Sequence, residues 1–225
     1  MKIFLDSSDV NEIRKWKDKV DGCTTNPTLM RKAGITDYEK FCKEVLLEVP
    51  DKPVSFEVFA DEFDEMERQA KIISSWGENV YVKIPVTNTQ RESSSNLIES
   101  LTDEGIKLNI TAVFTLEQIL FSFVPKAPMI ISVFAGRIAD TGVDPMPVMK
   151  TFSEYTSQLA AELLWASPRE VLNIDQAEQC GMDIITCTPD LLEKYTKLRG
   201  KNLNEFSLDT VKMFYEDAKA SGFKL

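Results

Sequence analysis

The 225-residue sequence predicts an α/β fold, a closed (β/α)8 barrel of the TIM type with an additional C-terminal helix. Three observations carry this. Short runs rich in β-branched and aromatic residues alternate eight times with helix-period segments, at intervals of about 20–30 residues, one strand–helix unit each. Helix-start chemistry follows several of those runs. No linker, low-complexity segment or internal repeat divides the chain, and α/β barrels commonly run to this length as one domain. The reading is one barrel domain over 1–225, with 201–225 as a helical tail. A doubly wound open sheet is the competitor, but no G-x-G-x-x-G follows the first run, which weakens a dinucleotide-binding version.

The strand runs, in order, are "KIFLDS" from Lys2, "GCTTN" from Gly22, "VSFEVF" from Val54, "VYVKIPV" from Val80, "KLNITAVF" from Lys107, "MIISVFAG" from Met129, "ELLWAS" from Glu162 and "DIITCT" from Asp183. Between them, Asp9 with Glu12 forms a capping box, and Thr115 with Gln118 another. Ser167, Pro168 and Glu170 read as an N-cap, first position and third position, and Thr188 with Pro189 as a further start. "VTNTQRESSSN" is the polar turn after the fourth strand. The tail "FSLDTVKMFYEDAKASGF" reads as one helix whose Phe206, Phe214, Tyr215 and Phe223 have no room in a closed barrel. They dock on the barrel's outside or on a neighbouring subunit.

Composition excludes several function classes. A net charge of −10 and a pI near 4.7 argue against a nucleic-acid backbone or an anionic membrane as partner. They leave room for an anionic small molecule held by a local cluster. Asp6 and Asp9 stand where a signal peptide needs an apolar run, and no stretch approaches the ~20 apolar residues of a membrane span. Cys23, Cys42, Cys180 and Cys187 are scattered small core residues, consistent with a reduced, cytoplasmic chain. There is no histidine, so His-based triads, His general bases and His-ligated zinc are excluded.

In "VYVKIPV", Lys83 alternates with Val82 and Ile84, so it shares a side with Tyr81 and faces the barrel interior near the strand's C-terminal end. Active sites of such barrels lie at that end. The same alternation places Asp6, then Thr24 and Asn26, Ser55 and Glu57, Asn109 and Thr111, Ser132 and Phe134, and Trp165 and Ser167 on the inner face, with Arg137 just beyond. A purely structural barrel fills those layers with Val, Ile and Leu. Plainer readings exist for each residue: an ion pair for Lys83 with Asp6 or Glu57, helix capping for Asp6 and Ser167, turn chemistry for Asn26, solvated loop charges for Arg137 and Arg169, core packing for Trp165. The argument rests on their convergence at one end of one barrel.

A lysine buried in an apolar strand is more easily held as the neutral, nucleophilic amine. Such an amine attacks a carbonyl to form a Schiff base, with Asp6 and Glu57 as acid and base. Ser167, Arg137 and Arg169 then form a phosphate site. This describes an enzyme that needs no cofactor and no metal and acts on a phosphorylated carbonyl compound.

"FLDSSDVNEI", "DGCTTNPTLM", "VKIPVT", "NITAVFT", "FAGRIADTG" and "WASPREV" together resemble the transaldolase family in its short form, which includes the fructose-6-phosphate aldolases. The resemblance covers nearly the whole chain. It implies that Lys83 is the Schiff-base lysine and Asp6 the acid/base residue, while Glu57 and Thr111 position a water. It also implies that Asn26, with Thr25 of the same motif, and Asn109 hold the dihydroxyacetone part, and that Arg137, Ser167 and Arg169 hold the phosphate. Glu57 and Phe134 resemble the transaldolase branch, where the aldolases carry glutamine and tyrosine. The resemblance further implies a place in the pentose phosphate pathway and a homo-oligomer, a pentamer or decamer built in part through the tail helix. The departures are "DSS" for "DTA", Val133 and Ala135 in "SVFAGR", and the bulky Trp165, read as narrowing the sugar pocket. The rival readings are an aldolase releasing free dihydroxyacetone, a phosphosugar-binding barrel without turnover, and an interaction protein using its aromatic tail.

Overall fold

The computed structural model describes residues 1–120 and 123–224. Eight parallel strands close into a barrel in sequence order, β8 pairing back onto β1. They are β1 Lys2–Asp6, β2 Gly22–Thr24, β3 Val54–Glu57, β4 Val80–Pro85, β5 Leu108–Val113, β6 Met129–Val133, β7 Ala161–Trp165 and β8 Ile184–Cys187. Each lies within one of the runs read from the sequence, or within a residue of it.

The connecting helices are α1 Val10–Trp16, α2 Pro27–Lys32, α3 Tyr38–Glu48, α4 Phe63–Ser74, α5 Ser95–Asp103, α6 Ala135–Asp140, α7 Pro145–Thr156, α8 Leu172–Gln179 and α9 Pro189–Leu198, followed by the tail helix α10 Leu203–Ser221. Local chemistry starts many of them. Asp9 accepts from the Asn11 amide, Asn26 from Leu29, Asp37 from Lys40 and Asp144 from Met146. Pro27, Pro145 and Pro189 stand in first turns, where a missing N–H costs nothing. Three expectations are corrected. Asp9 caps α1 without a box, because the Glu12 carboxylate accepts from Trp16 Nε1 and pairs with Lys15. The Thr115–Gln118 box caps a 3-10 turn, Leu116–Ile119, rather than an α-helix. Ser167 caps no helix: α8 begins five residues later, and the Asn173 side chain accepts from the amides of Arg169 and Glu170 instead.

Strand alternation separates two cores. Outward residues, among them Leu5, Phe56, Val82, Ile84, Ile131 and Ile185, form one large cluster with the helices. Inward residues Phe4, Ile130, Leu164, Ala166 and Ile184 form a second, with Tyr81 and Phe134 against it. Phe4 fills the barrel axis so closely that a Cβ on Gly22 would lie 2.6 Å from its ring, which is why glycine opens β2. No residue of α10 is buried, so docking on the barrel's outside, one of the two fates read for its aromatics, is not what the helix does within this chain. Among the described residues no helix is long and apolar enough to cross a membrane.

Candidate active site

Above the inner cluster, at the C-terminal ends of the strands, the barrel opens into a cavity of about 260 Å³. Asp6, Asn26, Glu57, Lys83, Thr111, Phe134, Arg137 and Ser167 line it. They come from β1, β3, β4, β5 and the segments after β2, β6 and β7. The parallel register explains the meeting of the central pair, because Glu57 and Lys83 are direct partners across β3 and β4.

Lys83 is buried, and its Nζ lies 2.9 Å from Glu57 Oε2. The same ammonium donates to the Thr25 carbonyl at 2.8 Å. The surroundings are therefore not simply apolar: the ion pair that the sequence left open is present, and a carboxylate stands ready to accept a proton from the amine. Asp6 faces the same space. Desolvation pushes its carboxyl above the ordinary range, against the opposing pull of the Lys83 charge and of hydrogen bonds from Thr24 and Asn26. Thr24 Oγ1 donates to Asp6 Oδ1 at 2.9 Å. Thr111 lines the cavity, and its Oγ1 is buried without a hydrogen-bond partner among the described residues.

Two backbone irregularities enlarge the set of residues that reach the cavity. Ala112 has φ +59°, at a register shift between β5 and β6, and both Thr111 and Ala112 line the cavity. Ser167 has φ +58°, and both Ala166 and Ser167 line it. Left-handed non-glycine residues are uncommon and collect at functional sites. The second of these corrects Trp165. Alternation read over "ELLWAS" puts Trp165 and Ser167 inside, but β7 pairs Trp165 with outward-facing Val133 and Ile185, and Ser167 reaches the cavity only through its left-handed turn. Leu164 and Ala166 face inward, while Trp165 is fully buried in the outer cluster with the helices. Trp165 does not line the cavity, and its Nε1 has no hydrogen-bond partner among the described residues.

Three further candidates stand apart from the cavity. The Thr25 side chain donates to the Ser55 carbonyl, and only its own carbonyl reaches the site, through Lys83. Asn109 is fully buried one layer below. Its Nδ2 donates to Ser55 Oγ at 3.0 Å and its Oδ1 accepts from Ser132 Oγ at 2.7 Å, so the amide is engaged by neighbouring strands. Arg169 does not line the cavity and forms a forked pair with Asp140 at the end of α6. Arg137, one turn earlier on α6, does line it, its guanidinium 4.8 Å from the Phe134 ring centroid. Gly136 makes that placement possible: a Cβ there would lie 1.5 Å from the Ser167 carbonyl oxygen, so only glycine lets α6 rest on the Ser167 backbone.

Thr186 was missed. It lines the cavity, with its Oγ1 2.6 Å from that of Thr24. Extending the alternation test to "DIITCT" finds it, two residues from inward-facing Ile184.

The family described as Transaldolase/Fructose-6-phosphate aldolase matches residues 3–225. A probable transaldolase 2 of Listeria monocytogenes is 38% identical over 198 residues, 86% of this chain and 88% of that protein. A probable transaldolase of Brucella ovis is 35% identical over 218 residues, 94% of this chain and 97% of that protein. Among solved structures, KGPDC from Streptococcus mutans superposes with a TM-score of 0.57 at 9% identity, covering 85% of this chain and 89% of that one. The thiamine phosphate pyrophosphorylase from Pyrococcus furiosus also reaches 0.57, at 12% identity, covering 87% and 94%. At such identities the likeness concerns the fold alone.

Proposed function

Because this chain belongs to the transaldolase/fructose-6-phosphate aldolase family, we propose that it is a transaldolase, moving a dihydroxyacetone unit from a ketose phosphate to an aldose phosphate. Donors of this class are fructose 6-phosphate and sedoheptulose 7-phosphate, and acceptors erythrose 4-phosphate and glyceraldehyde 3-phosphate, which is pentose phosphate chemistry. The observation that carries the reading is a buried lysine paired with one carboxylate while facing a second in the mouth of a barrel.

In this reading Lys83 passes a proton to Glu57, and the freed amine attacks the donor ketone. Loss of water from the carbinolamine leaves an imine on Nζ. Asp6 takes the proton of the C4 hydroxyl, the C3–C4 bond breaks with its electrons flowing into the imine, and an aldose phosphate leaves. The bound three-carbon enamine then attacks the aldehyde of an acceptor, and Asp6 returns the proton to the new hydroxyl. Hydrolysis frees the product, its water oriented by Glu57 and by the unpartnered Thr111 hydroxyl. Asn26 lies where it can hold the three-carbon unit, while Asn109 acts from below by fixing Ser55 and Ser132. Arg137 and Ser167 hold the phosphate, and Arg169 joins them only by leaving Asp140.

Glu57 and Phe134 support transfer over release of free dihydroxyacetone. The exposed aromatics of α10 support a homo-oligomer, and the four buried thiols are consistent with a cytoplasmic enzyme. Incubation with fructose 6-phosphate and borohydride tests the chemistry. A dihydroxyacetone-sized adduct on the peptide carrying Lys83 is expected, absent in Lys83→Met. A Lys83→Met variant with normal transfer would overturn the assignment. Products formed without any acceptor separate transferase from aldolase: free dihydroxyacetone accumulating at the rate of donor cleavage would replace the first by the second.

A further inference from the structure

Asp6 stands at the end of a chain of hydroxyl groups. Thr24 Oγ1 lies 2.9 Å from Asp6 Oδ1 and 2.6 Å from Thr186 Oγ1. A threonine hydroxyl has one proton, and an ionised carboxylate only accepts. With the single Thr24 proton committed to Asp6, the bond between the two threonines runs in one direction, with Thr186 donating. Thr24 and Thr186 are both buried, so water does not readily take the place of either hydroxyl. The three residues belong to adjacent strands, β8, β1 and β2, whose pairing is continuous through Phe4↔Thr186 and Asp6↔Thr24.

We infer that Thr186 is a positioning residue: by donating to Thr24 it holds the Thr24 hydroxyl on the Asp6 carboxylate and polarises that bond. The inference rests on the reading of Asp6 as the acid/base group. Chains of hydrogen bonds strengthen one another, and a bond to a charged acceptor gains more than one to a neutral carboxyl. The chain therefore favours ionised Asp6, and removing the Thr186 hydroxyl weakens that preference. The other groups facing Asp6 are the Lys83 ammonium on β4 and the Asn26 amide after β2, both favouring ionisation, and Glu57 on β3, opposing it. On β8 the buried Cys187 thiol, pushed up to about 12, stays neutral. None of them bonds to Thr186, so a change there isolates the hydroxyl chain.

The test is the pH dependence of kcat/KM for donor conversion in Thr186→Val, which keeps the shape and removes the hydroxyl. Its acid limb is expected to move upward by roughly 0.3–0.5 pH unit, the size of a cooperative increment on a bond to a charged group. Thr186→Ser is expected to restore the wild-type limb. In a Thr24→Val background the Thr186→Val change is expected to add no shift, because the connecting hydroxyl is gone. Thr186→Ala replaces Thr186→Val if thermal melting shows the latter unfolded. A Thr186→Val profile that overlays the wild type, or an equal shift in the Thr24→Val background, overturns the inference. Asp6→Asn run alongside separates the two levels. Wild-type rates in Asp6→Asn would remove the reading of Asp6 itself. A loss there beside an unmoved Thr186→Val limb would remove only the role of Thr186.

Discussion

Asp6 and Trp165 show how far a single residue's identity goes. An aspartate at the end of a strand reads as a cap or as an acid, and in this barrel its neighbours choose. Burial raises its carboxyl above the ordinary range of about 3.9, with Lys83 and Thr24 pulling the other way. As a base Asp6 works ionised, and that form is lost as pH falls through the raised value. The acid limb of kcat/KM is therefore expected above the ordinary carboxylate range, and the limb is expected to be missing from the residual activity of Asp6→Asn. That variant should lose about 10²–10⁴-fold in rate while keeping its fold, as removal of general acid–base catalysis typically does. A wild-type rate would sink the role. Trp165 gives the opposite lesson. Its bulk suggested a narrowed sugar pocket, but it lies in the helix-facing core with an unpartnered Nε1. Trp165→Phe is expected to leave the ratio of fructose 6-phosphate to sedoheptulose 7-phosphate turnover within about twofold, since the cavity wall there is Ala166. A several-fold change in that ratio would show that the tryptophan governs the pocket after all.

At the scale of elements, the strands and some helix starts are legible because each depends on a few consecutive residues. Branched alternation marks β4, and Asp9 marks the start of α1. The irregular joints are not legible in this way. Nothing in "WASPREV" announces that Ser167 adopts a left-handed backbone, which sends it to the cavity beside Ala166, and the register of β7, which puts Trp165 in the outer core, is set by its neighbouring strands. The contact between α6 and the Ser167 carbonyl is equally hidden, although it explains Gly136. Gly136→Ala must displace the helix bearing Arg137. A loss of about 3 kcal/mol or more is expected, read as a melting temperature lower by roughly 6–12 °C, together with a raised KM for phosphorylated donors. A variant with unchanged melting and unchanged KM would show that α6 accommodates the methyl group at no cost.

For the whole molecule, the open question lies outside the barrel. The tail helix α10 presents Phe206, Phe214 and Tyr215 to solvent, Phe223 is exposed just beyond it, and none of the helix's residues is buried against the barrel. Exposed apolar surface of this kind is typical of interaction sites, and we propose that α10 joins copies of this chain. Light scattering of the full chain is expected to give a multiple of the 25.5 kDa protomer mass, and a chain cut after Lys201 is expected to give a smaller assembly. An unchanged mass after the cut would remove the helix from the interface. The net charge of −10 favours solubility of such an assembly and leaves the basic groups Lys83 and Arg137 concentrated in the cavity.

By itself the sequence determined the order of the strands, the inward side of β1 to β6, and the candidacy of Lys83, Asp6 and Glu57, because alternation and local capping are properties of neighbouring residues. Tertiary structure alone decided which candidates meet. It paired Lys83 with Glu57 through strand register, joined Arg169 to Asp140, sank Asn109 beneath the cavity, and linked Thr186 to Asp6 through Thr24. The physical reason is that each of these depends on packing and strand pairing, which set distances between residues far apart in the chain, and the link to Thr186 further needs the closure that brings β8 beside β1.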